Sequence, residues 1–143
     1  MGRNNQVIAT GGSAIGNNNQ AMAMYSTAIG NDNYAIGENS SAIGLGNNIT
    51  ANDATALGNK NTASGISAGA VGISNTASGH NAQAFGYLNE ATAQDSQAFG
   101  AQNKATERYA SAFGHENEAK AYAGQCAGCE KRGYRRFWFG GRL

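Results

Sequence analysis

The chain has 143 residues, a formal net charge of +1 and only 13% charged residues, with 21 glycines and no proline. Alanine supplies much of the 41% apolar fraction, which excludes a conventional core of large side chains. No apolar run approaches the roughly 20 residues of a membrane span. Residues 1–124 contain five Lys/Arg and eight Asp/Glu, a balance that excludes a basic stripe that follows nucleic-acid phosphates.

A fourteen-residue repeat begins at residue 12 and runs eight times without insertion or deletion. With Gly12 to Tyr25 as positions 1 to 14, position 1 is small, position 3 alanine, position 5 glycine and position 8 asparagine in every copy. Position 10 is alanine except at Ile49, and position 12 is alanine or glycine except at Glu107. A strict period of this length predicts a solenoid, whose coils are stable only when stacked. The alternative, a disordered polar tract, would not constrain where alanine and glycine fall.

Each copy is predicted to form two strands of about five residues, each followed by a two-residue turn. Because strand side chains alternate between faces, positions 1, 3 and 5 and positions 8, 10 and 12 are expected to point inward. Position 8 either stacks into an internal ladder of amide hydrogen bonds or adopts a left-handed turn conformation, and the sequence leaves both open. The position-8 residues are Asn19, Asn33, Asn47, Asn61, Asn75, Asn89, Asn103 and Asn117.

Position 4, on the outward face of the first strand, is large and apolar in every copy. Its residues are Ile15, Ile29, Ile43, Leu57, Val71, Phe85, Phe99 and Phe113. Its counterpart on the second strand, position 11, becomes polar after Met22 and Ile36. An exposed apolar stripe of this size marks an interface, and the thin interior needs further burial, so the stripe predicts an oligomer. A closed cyclic assembly buries it well, but the sequence alone does not separate a trimer from a back-to-back pair.

These residues resemble the head repeats of the trimeric autotransporter adhesins, the YadA-like heads. Residues 39–44, which read Asn-Ser-Ser-Ala-Ile-Gly, match the family's Asn-Ser-Val-Ala-Ile-Gly motif at five of six positions, and the resemblance spans roughly residues 5–128. It implies an all-β, left-handed parallel β-roll of fourteen-residue, two-strand coils, assembled as a homotrimer on the outer membrane. It also implies adhesion to a host matrix protein or cell-surface receptor. The signal, neck, stalk and membrane anchor of that family are not found in this segment, which is expected not to insert into a membrane.

The repeat predicts one domain over residues 1–128, followed by an atypical basic and aromatic tail over residues 129–143. The tail is either a surface that binds single-stranded nucleic acid or membrane, or the product of a truncated or misread coding end. Cys126 and Cys129 form one CxxC, too few ligands for structural zinc, so they are incidental thiols or, after export, a disulfide.

No catalytic, cofactor or metal site is expected, because the acidic residues are scattered along the coils and no long loop can build a cleft. The interrupted threonines of position 11 do not favour an ice-binding ladder. Together with the adhesive role that the resemblance implies, this predicts a non-enzymatic adhesive head, without a nucleic-acid partner. The alternative is a structural module of a fibre, such as a phage tail fibre, with no specific ligand.

Overall fold

The structure is a computed structural model that describes residues 2–127, all of whose regular structure is β-strand. The tail over residues 129–143, predicted to differ from the repeat, lies outside the described residues. The strands, in chain order, are β1 (Gly2–Arg3), β2 (Gln6–Val7), β3 (Ser13–Asn17), β4 (Gln20–Ala21), β5 (Thr27–Asn31), β6 (Tyr34–Ala35), β7 (Ser41–Leu45), β8 (Asn48–Ile49), β9 (Thr55–Asn59), β10 (Thr62–Ala63), β11 (Gly69–Ile73), β12 (Thr76–Ala77), β13 (Gln83–Tyr87), β14 (Glu90–Ala91), β15 (Gln97–Ala101), β16 (Lys104–Ala105), β17 (Ser111–His115), β18 (Glu118–Ala119) and β19 (Gln125–Ala127).

Odd-numbered and even-numbered strands form two separate parallel sheets, which we call the long-strand sheet and the short-strand sheet. Each residue pairs with the residue fourteen positions away, as when Ala70 lies between Ala56 and Ala84. This register holds from the first pair of strands to the last, so every column of equivalent residues runs straight along the stack. The predicted parallel β-solenoid of fourteen-residue coils is confirmed.

The two strands of a coil differ in length, which corrects the prediction of two five-residue strands. Strands of the long-strand sheet cover positions 2 to 6 in each full coil, whereas those of the short-strand sheet cover only positions 9 and 10. Position 12, predicted to point inward, lies in the turn that follows: Gly37 is buried there, but Glu107 is exposed. The alternation of small residues therefore continues past the end of the second strand.

Left-handed backbone at two corners of every coil closes the turn. Positions 7 and 14 have φ between 52° and 73° in each coil, whether the residue is glycine, Lys60, Leu88 or Tyr109. This conformation costs a non-glycine residue roughly 1–2 kcal/mol. It also directs the backbone N–H to the preceding coil, as Lys60 N donates to the Leu45 carbonyl at 2.8 Å. Stacking therefore offsets the cost of the corner.

The interior between the sheets is narrow and consists mainly of alanine, serine and asparagine side chains, together with Ile49 and, in the last described coil, Cys126. A buried methyl group contributes about 0.8 kcal/mol, compared with about 1.5–3 kcal/mol for a buried leucine or phenylalanine. Alanine burial alone therefore stabilises each coil weakly, and the fold depends on hydrogen bonds between coils.

Candidate functional site

The position-8 asparagines form one continuous column inside the roll. Asn33 donates from its backbone N and its Nδ2 to Oδ1 of Asn19, at 3.2 and 3.0 Å. Its Nδ2 also lies 3.0 Å from the carbonyl oxygen of Ile29 and 2.7 Å from that of Gly44. The pattern recurs in the following coils, and Asn5 continues the column before Asn19. We call this column the asparagine ladder.

None of the position-8 asparagines has a positive φ, because the left-handed corner falls one residue earlier, at position 7. The two readings that the sequence left open are therefore separated, and side-chain hydrogen bonding accounts for asparagine at position 8. The amide is suited to this place because it supplies an acceptor and two N–H donors without charge. Aspartate would stack buried charges one strand spacing apart.

Glycine at position 5 is required by the same column. Position-5 glycines have φ between 113° and 125°, and a Cβ on Gly72 would lie 2.0 Å from the carbonyl oxygen of Gly86 in the next coil. That oxygen accepts a hydrogen bond from Asn75 Nδ2 at 2.8 Å. Glycine at position 5 thus lets consecutive coils approach closely enough for the ladder to bridge them.

The position-4 residues lie on the outward face of the long-strand sheet, in register from Ile15 to Phe113; we call them the apolar column. Ile15, Leu57 and Phe113 are 50%, 44% and 39% exposed, and the other five are partly buried by their neighbours in the column. Phe85, Phe99 and Phe113 stack nearly parallel, with centroids 5.0 and 5.4 Å apart.

Position 6 widens the apolar face, which the sequence reasoning missed. Leu45, Ile73 and Tyr87 are exposed on the same side of the long-strand sheet as the apolar column, two residues further along their strands. Asn59 stands between Leu45 and Ile73, and its Oδ1 is buried without a hydrogen-bond partner. The alternation of strand side chains would have revealed this widening, but position 6 varies too much from copy to copy to stand out as a motif.

The outward face of the short-strand sheet changes character along the roll. Exposed Ile8, Tyr34 and Ile36 lie on the first coils. Further along, Lys104 Nζ lies 3.1 Å from Glu90 Oε2, and Lys120 Nζ lies 2.9 Å from Glu118 Oε1. Both ion pairs are solvent-exposed and contribute at most about 1 kcal/mol each. This sheet presents a polar surface over most of its length.

Residues 2–127 contain no group of three or more His, Cys, Asp or Glu that could hold a metal ion. Within the same range, no helix is long and apolar enough to cross a membrane. Of the CxxC, Cys126 occupies an inward position 3 in β19, with Sγ 3.9 Å from Asn117 Oδ1. Cys129 and the tail lie outside the described residues.

The fold and its outward faces define a repeat protein: a parallel β-solenoid with a hydrogen-bonded interior and a continuous apolar column on one side. The sequence model of one protein family, described as YadA head domain repeat (2 copies), matches residues 8–33, 23–47, 35–61 and 91–117. Together these matches cover more than half of the chain. The chain belongs to this family, as the resemblance implied, and is an adhesin-type head domain. No match was found among curated proteins.

Proposed function

We propose that this chain is the non-enzymatic head of a bacterial surface adhesin, that it acts as a homotrimer and that it attaches to a host matrix protein or cell-surface receptor. The apolar column is the observation that carries the proposal. A thin roll with an interior of alanine and asparagine has little apolar surface of its own to bury, yet eight large apolar side chains lie in one line on its outer face, three of them exposed and five partly buried.

Assembly about a threefold axis would bury the apolar column. Identical chains related by cyclic symmetry bring equivalent coils to the same height, so that the three columns meet along the axis. Leu45, Ile73 and Tyr87 then flank the contact. Complete burial of a column residue contributes about 1.5–3 kcal/mol, and those already partly covered gain less. Summed over eight coils and three chains, this term stabilises the trimer strongly.

The outward face of the short-strand sheet points away from such an axis and remains available for a ligand. Together with the corners, it offers amide and hydroxyl groups and exposed tyrosines, including Tyr25 and Tyr109, a composition suited to protein recognition. In the alternative, a fibre module, the same surface serves only solubility and the roll only length.

Binding of the assembled full chain to immobilised collagen, fibronectin and laminin separates these two functions. We expect saturable binding to at least one of them, competed by the same protein in solution. A folded, assembled chain that shows no saturable binding to any of the three or to cultured host cells would favour the fibre module.

A further inference from the structure

A notch interrupts one corner of the roll at the third full coil. Position 7 carries a side chain in all full coils except this one, where Gly46 stands between Asp32 and Lys60. The notch is largely open to solvent and has a volume of about 590 Å³. Leu45, Tyr34 and Asn48 complete its lining.

The polar groups of the notch are held in place and still have capacity to bind. The Asp32 carboxylate is oriented by two amides, Asn18 Nδ2 at 3.0 Å and Asn31 Nδ2 at 2.9 Å, which leave further lone pairs on both oxygens. Within residues 2–127, Lys60 makes no ion pair and the Asn48 side chain makes no hydrogen bond. The Tyr34 ring is 39% exposed beside them.

We propose that this notch binds the pyranose ring of a saccharide. An anion would meet the Asp32 carboxylate and a cation the Lys60 ammonium, one spacing of neighbouring strands to either side of Gly46, so the pair disfavours a ligand with a net charge. Sugar hydroxyls both donate and accept, and therefore suit a carboxylate, an ammonium and an amide together. The C–H face of the ring would lie on Tyr34, an amphipathic side chain common at recognition surfaces.

The inference rests on the proposed function, for which it names a ligand class, and it does not require the apolar column to be accessible. Tyr34 and Asn48 belong to the short-strand sheet, whose outward side faces away from the proposed trimer axis, whereas Leu45 borders the notch on the side of the proposed contact. A trimer would present three such notches, so a weak single site would gain avidity on a surface that displays many sugars.

Gly46→Asn fills the notch without breaking the coil. Asn18 already occupies position 7 with φ of 55°, close to the 64° of Gly46, and asparagine tolerates this region well. A Cβ at Gly46 would have Lys60 Cγ as its nearest neighbour, 3.6 Å away, an ordinary contact. Ser74→Asn is the matched control, since Ser74 lies in the same column at φ of 55° and does not line the notch.

Saturation-transfer NMR on the assembled full chain, with the methyl pyranosides of galactose, N-acetylgalactosamine, N-acetylglucosamine and mannose, tests the proposal. We expect one of them to bind with a dissociation constant on the order of millimolar. Binding should survive in Ser74→Asn and Tyr34→Phe and disappear in Gly46→Asn and Tyr34→Ala. Beads that carry the same sugar should retain the wild type and release Gly46→Asn.

Absence of binding by all four glycosides, or equal binding by Gly46→Asn, would overturn the notch as a saccharide site. Saturable attachment to matrix proteins would remain intact in that case, so failure of this inference is distinguishable from failure of the proposed adhesive function. Loss of matrix binding in Gly46→Asn with normal assembly would support both.

Discussion

At the scale of single residues, asparagine at position 8 and glycine at position 5 hold consecutive coils together. Asn75 donates to Asn61 Oδ1 at 3.1 Å, to the Val71 carbonyl at 2.9 Å and to the Gly86 carbonyl at 2.8 Å, and it accepts from the next asparagine of the ladder. Two N–H groups thus serve three acceptors, which requires a shared hydrogen bond of the kind common where backbone groups converge. Replacement of one member affects the coils on both sides.

Asn75→Ala is expected to destabilise the assembled protein by at least about 3 kcal/mol, because several buried donors and acceptors lose a partner at once. Chemical denaturation followed by circular dichroism measures the change. Asn48→Ala serves as the control, because Asn48 is exposed on the outward face of the roll, two coils before Asn75. It should change the free energy of unfolding by no more than about 0.5 kcal/mol. Equal effects of the two substitutions would refute a structural role for the ladder.

Glycine at position 5 permits a comparison between two glycines with positive φ. Gly72→Ala places a Cβ 2.0 Å from the Gly86 carbonyl oxygen, and the backbone on both sides is fixed by sheet pairing. Gly46→Ala meets nothing closer than 3.6 Å and should cost about 1–2 kcal/mol for its left-handed backbone. We expect Gly72→Ala to prevent folding of the central coils, as seen by proteolysis, and Gly46→Ala to remain folded. A protease-resistant Gly72→Ala protein would contradict this explanation.

At the scale of the elements, the sequence predicted the fourteen-residue period correctly, but it did not predict the strand lengths and corner conformations within one coil. Invariant alanine, glycine and asparagine columns fixed the fourteen-residue register, because any shift would move large side chains into a narrow interior. The corners escaped notice because Lys60, Leu88 and Tyr109 have no preference for left-handed backbone. They adopt it because a neighbouring coil accepts the N–H, a non-local cause that local propensity does not record. The short strand was predicted too long because the alternation of small residues continues to position 12, beyond the end of the strand.

A deletion experiment tests the coil as the unit of structure. Deletion of residues 62–75 joins position 8 to position 9 across one whole coil and keeps every column in register, so the protein should fold as a rod about 4.8 Å shorter. Deletion of residues 62–68 joins position 8 to position 2 and should unfold the following coils, because it places the apolar column out of line. Circular dichroism and small-angle X-ray scattering distinguish the two. Similar spectra and stability for both deletions would contradict the proposed unit.

At the scale of the whole molecule, the two sheets present different outward surfaces. The long-strand sheet carries the apolar column and its flanking residues at position 6. The short-strand sheet carries the mostly polar outward surface, while the notch spans the corner between them. The sequence showed the column directly, since a large apolar residue recurs at position 4 of every copy. It did not show the notch, because a missing side chain at Gly46 has meaning only when Asp32 and Lys60 are known to flank it in space.

Phe99→Asp tests the column as the assembly surface. Phe99 stacks between Phe85 and Phe113, so a carboxylate there would be buried at the centre of the proposed contact in three copies. We expect loss of assembly, with a penalty above about 3 kcal/mol per chain from lost burial and an unpaired charge. Ser78→Asp is the control and should assemble normally, because Ser78 is exposed directly after β12, on the opposite side of the roll. Size-exclusion chromatography with light scattering reads out both, and normal assembly of Phe99→Asp would exclude the column as the interface.

Sedimentation equilibrium of the wild-type full chain measures whether one chain can remain alone in solution with its apolar column uncovered. We predict a single species with three times the chain mass of 14.7 kDa, unchanged on dilution through the micromolar range. A folded, soluble species of 14.7 kDa under the same conditions would contradict assembly through the apolar column.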